Sequence, residues 1–276
     1  MREALEGIRV VTLAVNLPGP LAARRLATLG ATVVKVEPPS GDPMARLHEG
    51  YYRALAAGQQ VVALDLKTEA GRAALEPLLA AADLLLTAQR PSALDHLGLG
   101  WGALHARLPR LSQVAIVGYP PPRQEEGGHD LTYQAEAGLL RPPRLPPTLL
   151  ADVAGGERAV SAALALLLAR RHDGAGRLTL VPLSEAAADL AEPRRFGLTT
   201  PGALLGGGAP EYNLYRARDG WVAVAALEPR FRERLMGDLG ARDEAGLRRA
   251  FKERRAAAWQ AWGVERDVPV VAVPAP

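Results

Sequence analysis

Side chains able to move protons gather in a few short stretches of this 276-residue sequence. The first is Gly127-Gly128-His129-Asp130. A histidine after paired glycines, at the mouth of a helix, is accessible and can act as a general base near neutral pH. A surface histidine without chemistry would look the same. His48, His105 and His172 sit in polar or helical contexts that suggest nothing more. The second stretch is Leu149-Leu150-Ala151-Asp152-Val153-Ala154-Gly155-Gly156. Asp152 stands just before an apolar helix, and read alone it is an N-cap aspartate. A helix start also offers free backbone N–H groups and a positive dipole end, which would stabilise an enolate oxygen as it forms. Gly155 and Gly156 would let a ligand approach the backbone closely. The third stretch joins Gly206-Gly207-Gly208 to Glu228. Its glycines fit a hinge better than a ligand cradle, and Glu228, followed by Pro229, fits a surface turn as well as an acid.

Several chemistries are absent. With no Cys there is no disulfide, no thiolate nucleophile and no Cys-ligated metal. No HExxH or paired histidines at i,i+4 suggest a metal site. Neither a GxGxxG nor a Walker loop follows a strand, and no Gly-x-Ser-x-Gly elbow occurs. Hydrophobic residues make up 48% and charged residues 23%, an ordinary globular balance. The net charge is +3 and the basic residues are scattered, which argues against nucleic acid as a partner but suits an anionic substrate. The most apolar run, Ala159 to Ala169, is about half the length needed to span a bilayer, so it is expected to be a buried helix. Met1 to Gly7 carries two acids and no long apolar stretch, so no signal peptide is expected, and the lack of Cys fits an expected cytoplasmic location.

The elements that must position these residues alternate. Strands are expected at Ile8–Leu13, Thr32–Val36, Val61–Leu66, Leu84–Leu86, Val114–Val117 and Arg177–Pro182. Helices are expected at Leu21–Leu29, stopping at Gly30, at about Glu69–Ala82, at about Leu131–Leu140, at Ala154–Ala169 and from Leu183 to Leu190. Between Asn16 and Pro20 a loop is expected. Such alternation predicts an α/β fold with a parallel sheet and right-handed crossovers. Beyond it, Tyr212–Arg216 and Trp221–Ala225 form an expected hairpin, followed by helices from about Arg230 to Leu239 and from Ala245 to Trp262, then a strand at Val268–Val273. The organisation expected is a large domain over residues 1–190, a linker over 191–208, a small α+β domain over 209–262 and a C-terminal strand or return segment over 263–276.

Six further stretches complete the pattern: Gly7-Ile8-Arg9-Val10, Pro18-Gly19-Pro20, Leu29-Gly30-Ala31-Thr32-Val33-Val34-Lys35-Val36-Glu37-Pro38, Val61-Val62-Ala63-Leu64-Asp65-Leu66-Lys67, Arg90-Pro91-Ser92-Ala93-Leu94-Asp95-His96-Leu97-Gly98-Leu99-Gly100 and Gly174-Ala175-Gly176-Arg177. In combination these features resemble the class III CoA-transferase (CaiB/BaiF-type) family. Gly128-His129-Asp130-Leu131-Thr132-Tyr133 is similar to the catalytic-histidine segment of the family's α-methylacyl-CoA racemase branch. So are Gly207-Gly208-Ala209-Pro210-Glu211-Tyr212 and Ala226-Leu227-Glu228-Pro229-Arg230-Phe231 to that branch's small domain. Pro38, Gln59-Gln60 and His96 depart from the family by standing where basic residues are common. The chain also ends at a point past which typical members continue, so a shortened C-terminus is expected.

The resemblance implies a Rossmann-like large domain, a small domain and two chains interlocked as a homodimer. It implies 1,1-proton transfer at the α-carbon of a 2-methylacyl-CoA through an enolate, with His129 and Asp152 as opposed bases. Glu228 and Asp130 would orient or tune His129, Glu228 across the dimer interface. Asn16, Leu64, Lys67 and Arg90 would contact CoA. CoA enters as part of the substrate, and neither a metal nor a resident cofactor is expected. Two other readings stay open: a CoA-transferase with Asp152 as covalent nucleophile, which an aromatic residue in place of His129 would favour, and a shortened, inactive homologue acting as a binding or structural dimer.

Overall fold

The computed structural model describes residues 3–275. The outermost positions of the expected first and last segments, Met1, Arg2 and Pro276, lie outside them. The chain divides into two compact units, one running through Ala191 and the other starting at Glu192.

The first unit opens with β1 (Arg9–Thr12), α1 (Pro18–Thr28), β2 (Thr32–Glu37), α2 (Pro43–Leu47), α3 (Glu49–Ala56) and β3 (Gln59–Ala63). It continues with α4 (Glu69–Ala80), β4 (Leu84–Thr87), α5 (Pro91–His96), α6 (Trp101–Arg107) and β5 (Ser112–Val117). It closes with α7 (Asp130–Glu136), α8 (Leu150–Asp173), β6 (Leu178–Pro182) and α9 (Leu183–Leu190). The six strands are all parallel, in the order β3-β2-β1-β4-β5-β6. That is the Rossmann-like α/β architecture expected, with the strand order reversing between β1 and β4.

Both faces of the sheet are covered, which is why its central strands read as unbroken apolar runs. Along β4, Leu84 and Leu86 enter one core with Ala22 and Leu26 of α1 and Ala159 and Ala163 of α8. Leu85 points to the other core, with Leu75 and Leu79 of α4 and Leu104 of α6. Each fully buried leucine contributes roughly 1.5–3 kcal/mol relative to exposure.

Several boundaries differ from the sequence expectation. Helix α1 starts at Pro18, inside the expected loop, because a proline at the first helical position loses no hydrogen bond. Strand β3 lies two residues earlier than its most apolar stretch. Its register is set by pairing with β2, Val33 opposite Gln59 and Glu37 opposite Ala63, and Leu64 is released into the loop beyond. Helix α8 begins at Leu150, so Asp152 is not an N-cap but the third residue of the first turn; the N-cap is Leu149, without a side-chain cap. Nor is α8 buried all round, since Leu164 and Leu168 are exposed on its outer face, Leu168 at 58%. Helix α7 ends four residues early, at Glu136, where Gly138 turns the chain with φ of 72°. Helices α2, α3, α5 and α6 occupy stretches where none was expected.

The second unit holds α10 (Glu192–Arg195), a 3-10 turn at Leu204–Gly206, β7 (Tyr212–Arg216), β8 (Trp221–Ala225), α11 (Pro229–Asp238), α12 (Glu244–Phe251), α13 (Ala256–Arg266) and β9 (Val270–Val273). The hairpin pairs Tyr212 with Ala225 and Arg216 with Trp221, and β9 adds antiparallel to β8. The single helix expected from Ala245 to Trp262 is broken into α12 and α13. No glycine or proline marks the break. It is made by tertiary contacts: Asp219 accepts from the Ala256 N–H at 2.8 Å, and Trp259 Nε1 donates to the Phe251 carbonyl at 2.8 Å.

Candidate active site

Ligands of open α/β sheets bind beyond the carboxyl ends of the strands where the strand order reverses. Here that point lies past β1 and β4, and the segments leaving those strands line a cleft of about 290 Å³. Its walls include Asn16 after β1, Gln89 and Arg90 after β4, Gly118 after β5, and the Gly127–His129 loop, Tyr133 and Asp152. A second, more apolar hollow of about 580 Å³ adjoins it, with Val15 and Gln89 lining both. Leu64, Lys67, Arg72 and His96 line the second hollow. Of the residues singled out in the sequence, His129, Asp152, Asn16 and Arg90 therefore meet in the cleft, and Leu64 and Lys67 meet in the hollow beside it. Pro38 also lines the hollow, whereas Gln59 and Gln60 belong to β3.

His129 is the N-cap residue of α7 and is exposed. The Thr132 hydroxyl closes that end of the helix, accepting from the His129 N–H at 3.1 Å and donating to its carbonyl at 2.8 Å.

Asp130, next in the chain, is buried at 4% exposure and does not engage His129. Its carboxylate accepts from Gln134 Nε2 and, at 3.1 Å, from the backbone N–H of Asp152. It therefore caps α8 from a different helix, supplying the acceptor that Leu149 lacks. The expectation that Asp130 tunes His129 is replaced by a direct link to Asp152. Burial, and secondarily the Asp130 charge, push the Asp152 carboxyl up to about 7. An acid of that strength exists in both protonation states near neutrality, as a residue that gives and takes protons must.

Two glycine readings change. Gly155 and Gly156 do not open the backbone to a ligand. A Cβ on Gly155 would lie 2.1 Å from the Leu183 side chain, and one on Gly156 would lie 2.9 Å from the Pro18 carbonyl. They are small so that α9 and α1 can pack against α8. Gly206 and Gly208 likewise close on the backbone of Thr200 and Gly202. Glu228 is the N-cap residue of α11 in the second unit, where its carbonyl accepts from the Phe231 and Arg232 N–H groups at 3.0 Å.

Sequence reasoning assigned no role to Gln89, Gln124, Glu126, Tyr133 and Leu183, which also line the cleft. One signal was present for Tyr133: it lies one helical turn beyond His129, and so on the same side of α7. Gln89 had none, because its place depends on the sheet order. Its Nε2 donates to the Leu13 carbonyl at 2.6 Å, tying the exit of β4 to that of β1. No group of three or more His, Cys, Asp or Glu able to hold a metal occurs among the described residues. Among them no helix is long and apolar enough to cross a membrane.

Known proteins share this organisation. The chain is 34% identical over 262 residues to the α-methylacyl-CoA racemase of Homo sapiens, covering 87% of this chain and 66% of that protein. It is 31% identical over 261 residues to the succinyl-CoA–D-citramalate CoA-transferase of Chloroflexus aurantiacus, covering 86% of this chain and 65% of that one. The chain thus spans about two thirds of the length of these relatives. Among solved structures, a CaiB/BaiF family protein from Brucella suis superposes with a TM-score of 0.85 at 25% identity, over 100% of this chain and 85% of that one. The model of CoA-transferase family III matches residues 5–273, and the chain belongs to that family.

Proposed function

We propose that this protein is an acyl-CoA racemase or epimerase, carrying out 1,1-proton transfer at the α-carbon of a 2-methylacyl-CoA. The observation that carries this reading is the Asp152 carboxyl, raised to about 7 in the same cleft as the imidazole of His129. The thioester acidifies the α-hydrogen. One of the two groups removes it from one face of the carbon, leaving a planar enolate, and the other returns a proton to the opposite face. The roles exchange for the other epimer. Both groups must hold or release a proton near neutral pH, and the elevated carboxyl meets that demand.

The nucleotide end of CoA is assigned to the hollow lined by Leu64, Lys67, Arg72 and His96, and the thioester to the cleft beyond Asn16 and Arg90. Lys67 and Arg72 supply positive charge there for CoA phosphates. Glu228 keeps its proposed tuning role as part of an assembled homodimer.

Incubating the chain with an (R)-2-methylacyl-CoA in deuterated water should wash deuterium into the α-position. Asp152→Asn and His129→Ala should each slow that exchange by about 10²–10⁴-fold, the range general acid–base groups contribute. No exchange at any enzyme concentration would sink the reading. The similar identity to a CoA-transferase supports a second reading, in which the Asp152 carboxylate attacks the thioester carbonyl and expels CoA thiolate, leaving a mixed anhydride. Hydroxylamine would then trap Asp152 as a hydroxamate in the presence of an acyl-CoA, and a racemase would give no such adduct.

A further inference from the structure

An enolate needs a hydrogen-bond donor at its oxygen, and the donor expected from sequence is already engaged. The backbone N–H of Asp152, in the first turn of α8, donates to Asp130. Another group in the cleft is better placed. Tyr133 lines it beside His129 and Asp152, with its ring buried at 2% exposure. The ring packs edge-on against Tyr119, with centroids 5.3 Å apart. Tyr119 itself donates to Glu136 at 3.0 Å, whereas the Tyr133 hydroxyl has no hydrogen-bond partner among the described residues. The ring is buried, but the hydroxyl oxygen opens on the cleft, where a ligand can reach it.

Its position is also tightly determined. A Cβ on Gly118 would lie 2.6 Å from the Tyr133 hydroxyl oxygen. One on Gly128 would lie 2.5 Å from the ring and 2.7 Å from that oxygen. Only glycine at both positions lets the phenol reach between the end of β5 and the loop that carries His129. The paired glycines before the histidine thus have a use beyond accessibility: Gly128 makes room for a hydroxyl at the cleft wall.

We propose that Tyr133 is a catalytic residue whose hydroxyl donates a hydrogen bond to the thioester oxygen of the acyl-CoA and, more strongly, to the enolate oxygen that replaces it. This rests on the enolate chemistry proposed above. No proton is transferred from the phenol; its O–H bond stays intact while negative charge builds on the substrate oxygen and returns to carbon. Burial, with smaller effects from Tyr119 and Asp152, pushes the phenol up to about 12, so it remains a donor across the working pH range. A donor held in place before charge develops stabilises the transition state more than the ground state.

The test is Tyr133→Phe, which keeps the ring and its contact with Tyr119. The α-exchange kcat should fall by about 10²–10³-fold, as for loss of one oxyanion donor, with KM and the thermal midpoint nearly unchanged. A second readout does not depend on turnover: the ultraviolet band of acetoacetyl-CoA bound as its enolate should be present in the wild-type protein and weakened in Tyr133→Phe. Gly128→Ala, which crowds the phenol, should weaken it too. A wild-type protein that shows the enolate band but no exchange would retain this inference and lose the racemase reading. Exchange and enolate band within about twofold of wild type in Tyr133→Phe would overturn it. So would a wild-type protein with no enolate band.

Discussion

Two pairs of neighbouring carboxylates in the first unit live under opposite electrostatic conditions. Glu37 and Asp42 share the Lys35 ammonium, which contacts each at 2.6 Å and is itself 1% exposed. Their remaining lone pairs are also used: Tyr52 donates to Glu37 at 2.9 Å, and the Asn16 and Met44 N–H groups donate to Asp42 at 3.0 and 2.9 Å. Among the described residues no cation pairs with Asp130 or Asp152, and the Asp152 carboxyl is pushed up to about 7. The first pair is a buried charge balanced on every side, which builds structure. It holds Asn16, at φ of 69°, in a left-handed conformation at the cleft wall. The second pair leaves one acid unbalanced in a cleft, the condition that chemistry uses. Burial alone does not separate structural acids from functional ones; the presence of a counter-charge does.

The comparison is broken most severely at Lys35. Lys35→Met would leave two buried carboxylates facing each other without a cation, a loss of about 3–5 kcal/mol. Denaturant unfolding followed by circular dichroism should show the midpoint falling accordingly. A variant within about 1 kcal/mol of wild type would mean that water reaches the cluster and that its balance is not structural.

The sequence made these two regions unequally legible. Lys35 and Glu37 stand out in the sequence only through the family resemblance, because nothing in a strand's alternation announces that a lysine points inward to meet an aspartate seven residues on. The parallel sheet was readable, since Leu84-Leu85-Leu86 and Val114 to Val117 are too apolar for a sheet with a wet face. Asp152 stands out in the sequence as a proton-transfer base, but the cap that is its plainer reading does not form: the helix starts two residues before it, and that start is capped by Asp130 from α7. Long-range partners such as this one, and Gln89 reaching Leu13, depend on strand order and leave no local pattern. Boundaries fixed by pairing, as in β3, or by tertiary contacts, as at the break between α12 and α13, escaped for the same reason.

A smaller effect sharpens the comparison at Asp152. Below pH 3.8, the ordinary value for an aspartate, this carboxyl is protonated in both the folded and unfolded chain and costs nothing. As pH rises from there to about 7, the unfolded chain ionises freely while the folded one resists, so the wild-type protein loses stability. Asp152→Asn, neutral throughout, escapes that loss. Its stability relative to wild type should therefore grow between pH 4 and 7 by about 3 kcal/mol, after a discount for partial exposure, and level off above. A difference that is flat with pH would mean that the carboxyl is not raised in the folded protein.

The smallest effect asks how much of that elevation belongs to Asp130. Burial is the larger cause and the neighbouring carboxylate the lesser. Asp130→Asn removes the like charge while keeping an oxygen to accept from the Asp152 N–H. The adjacent Gln134 can adapt, because its Oε1 is buried without a partner and a turned amide would let it accept from the new side chain. The fold should hold, and Asp152 should become a stronger acid. For the epimer whose α-hydrogen Asp152 removes, exchange rises with pH as that carboxyl ionises. For the other epimer, where Asp152 returns the proton, exchange falls as it ionises. Both limbs should move to lower pH in Asp130→Asn, by less than the whole elevation, since burial is untouched. Measuring exchange from each epimer against pH tests this directly. Limbs that stay in place would assign the raised carboxyl to burial alone and leave Asp130 as a helix cap.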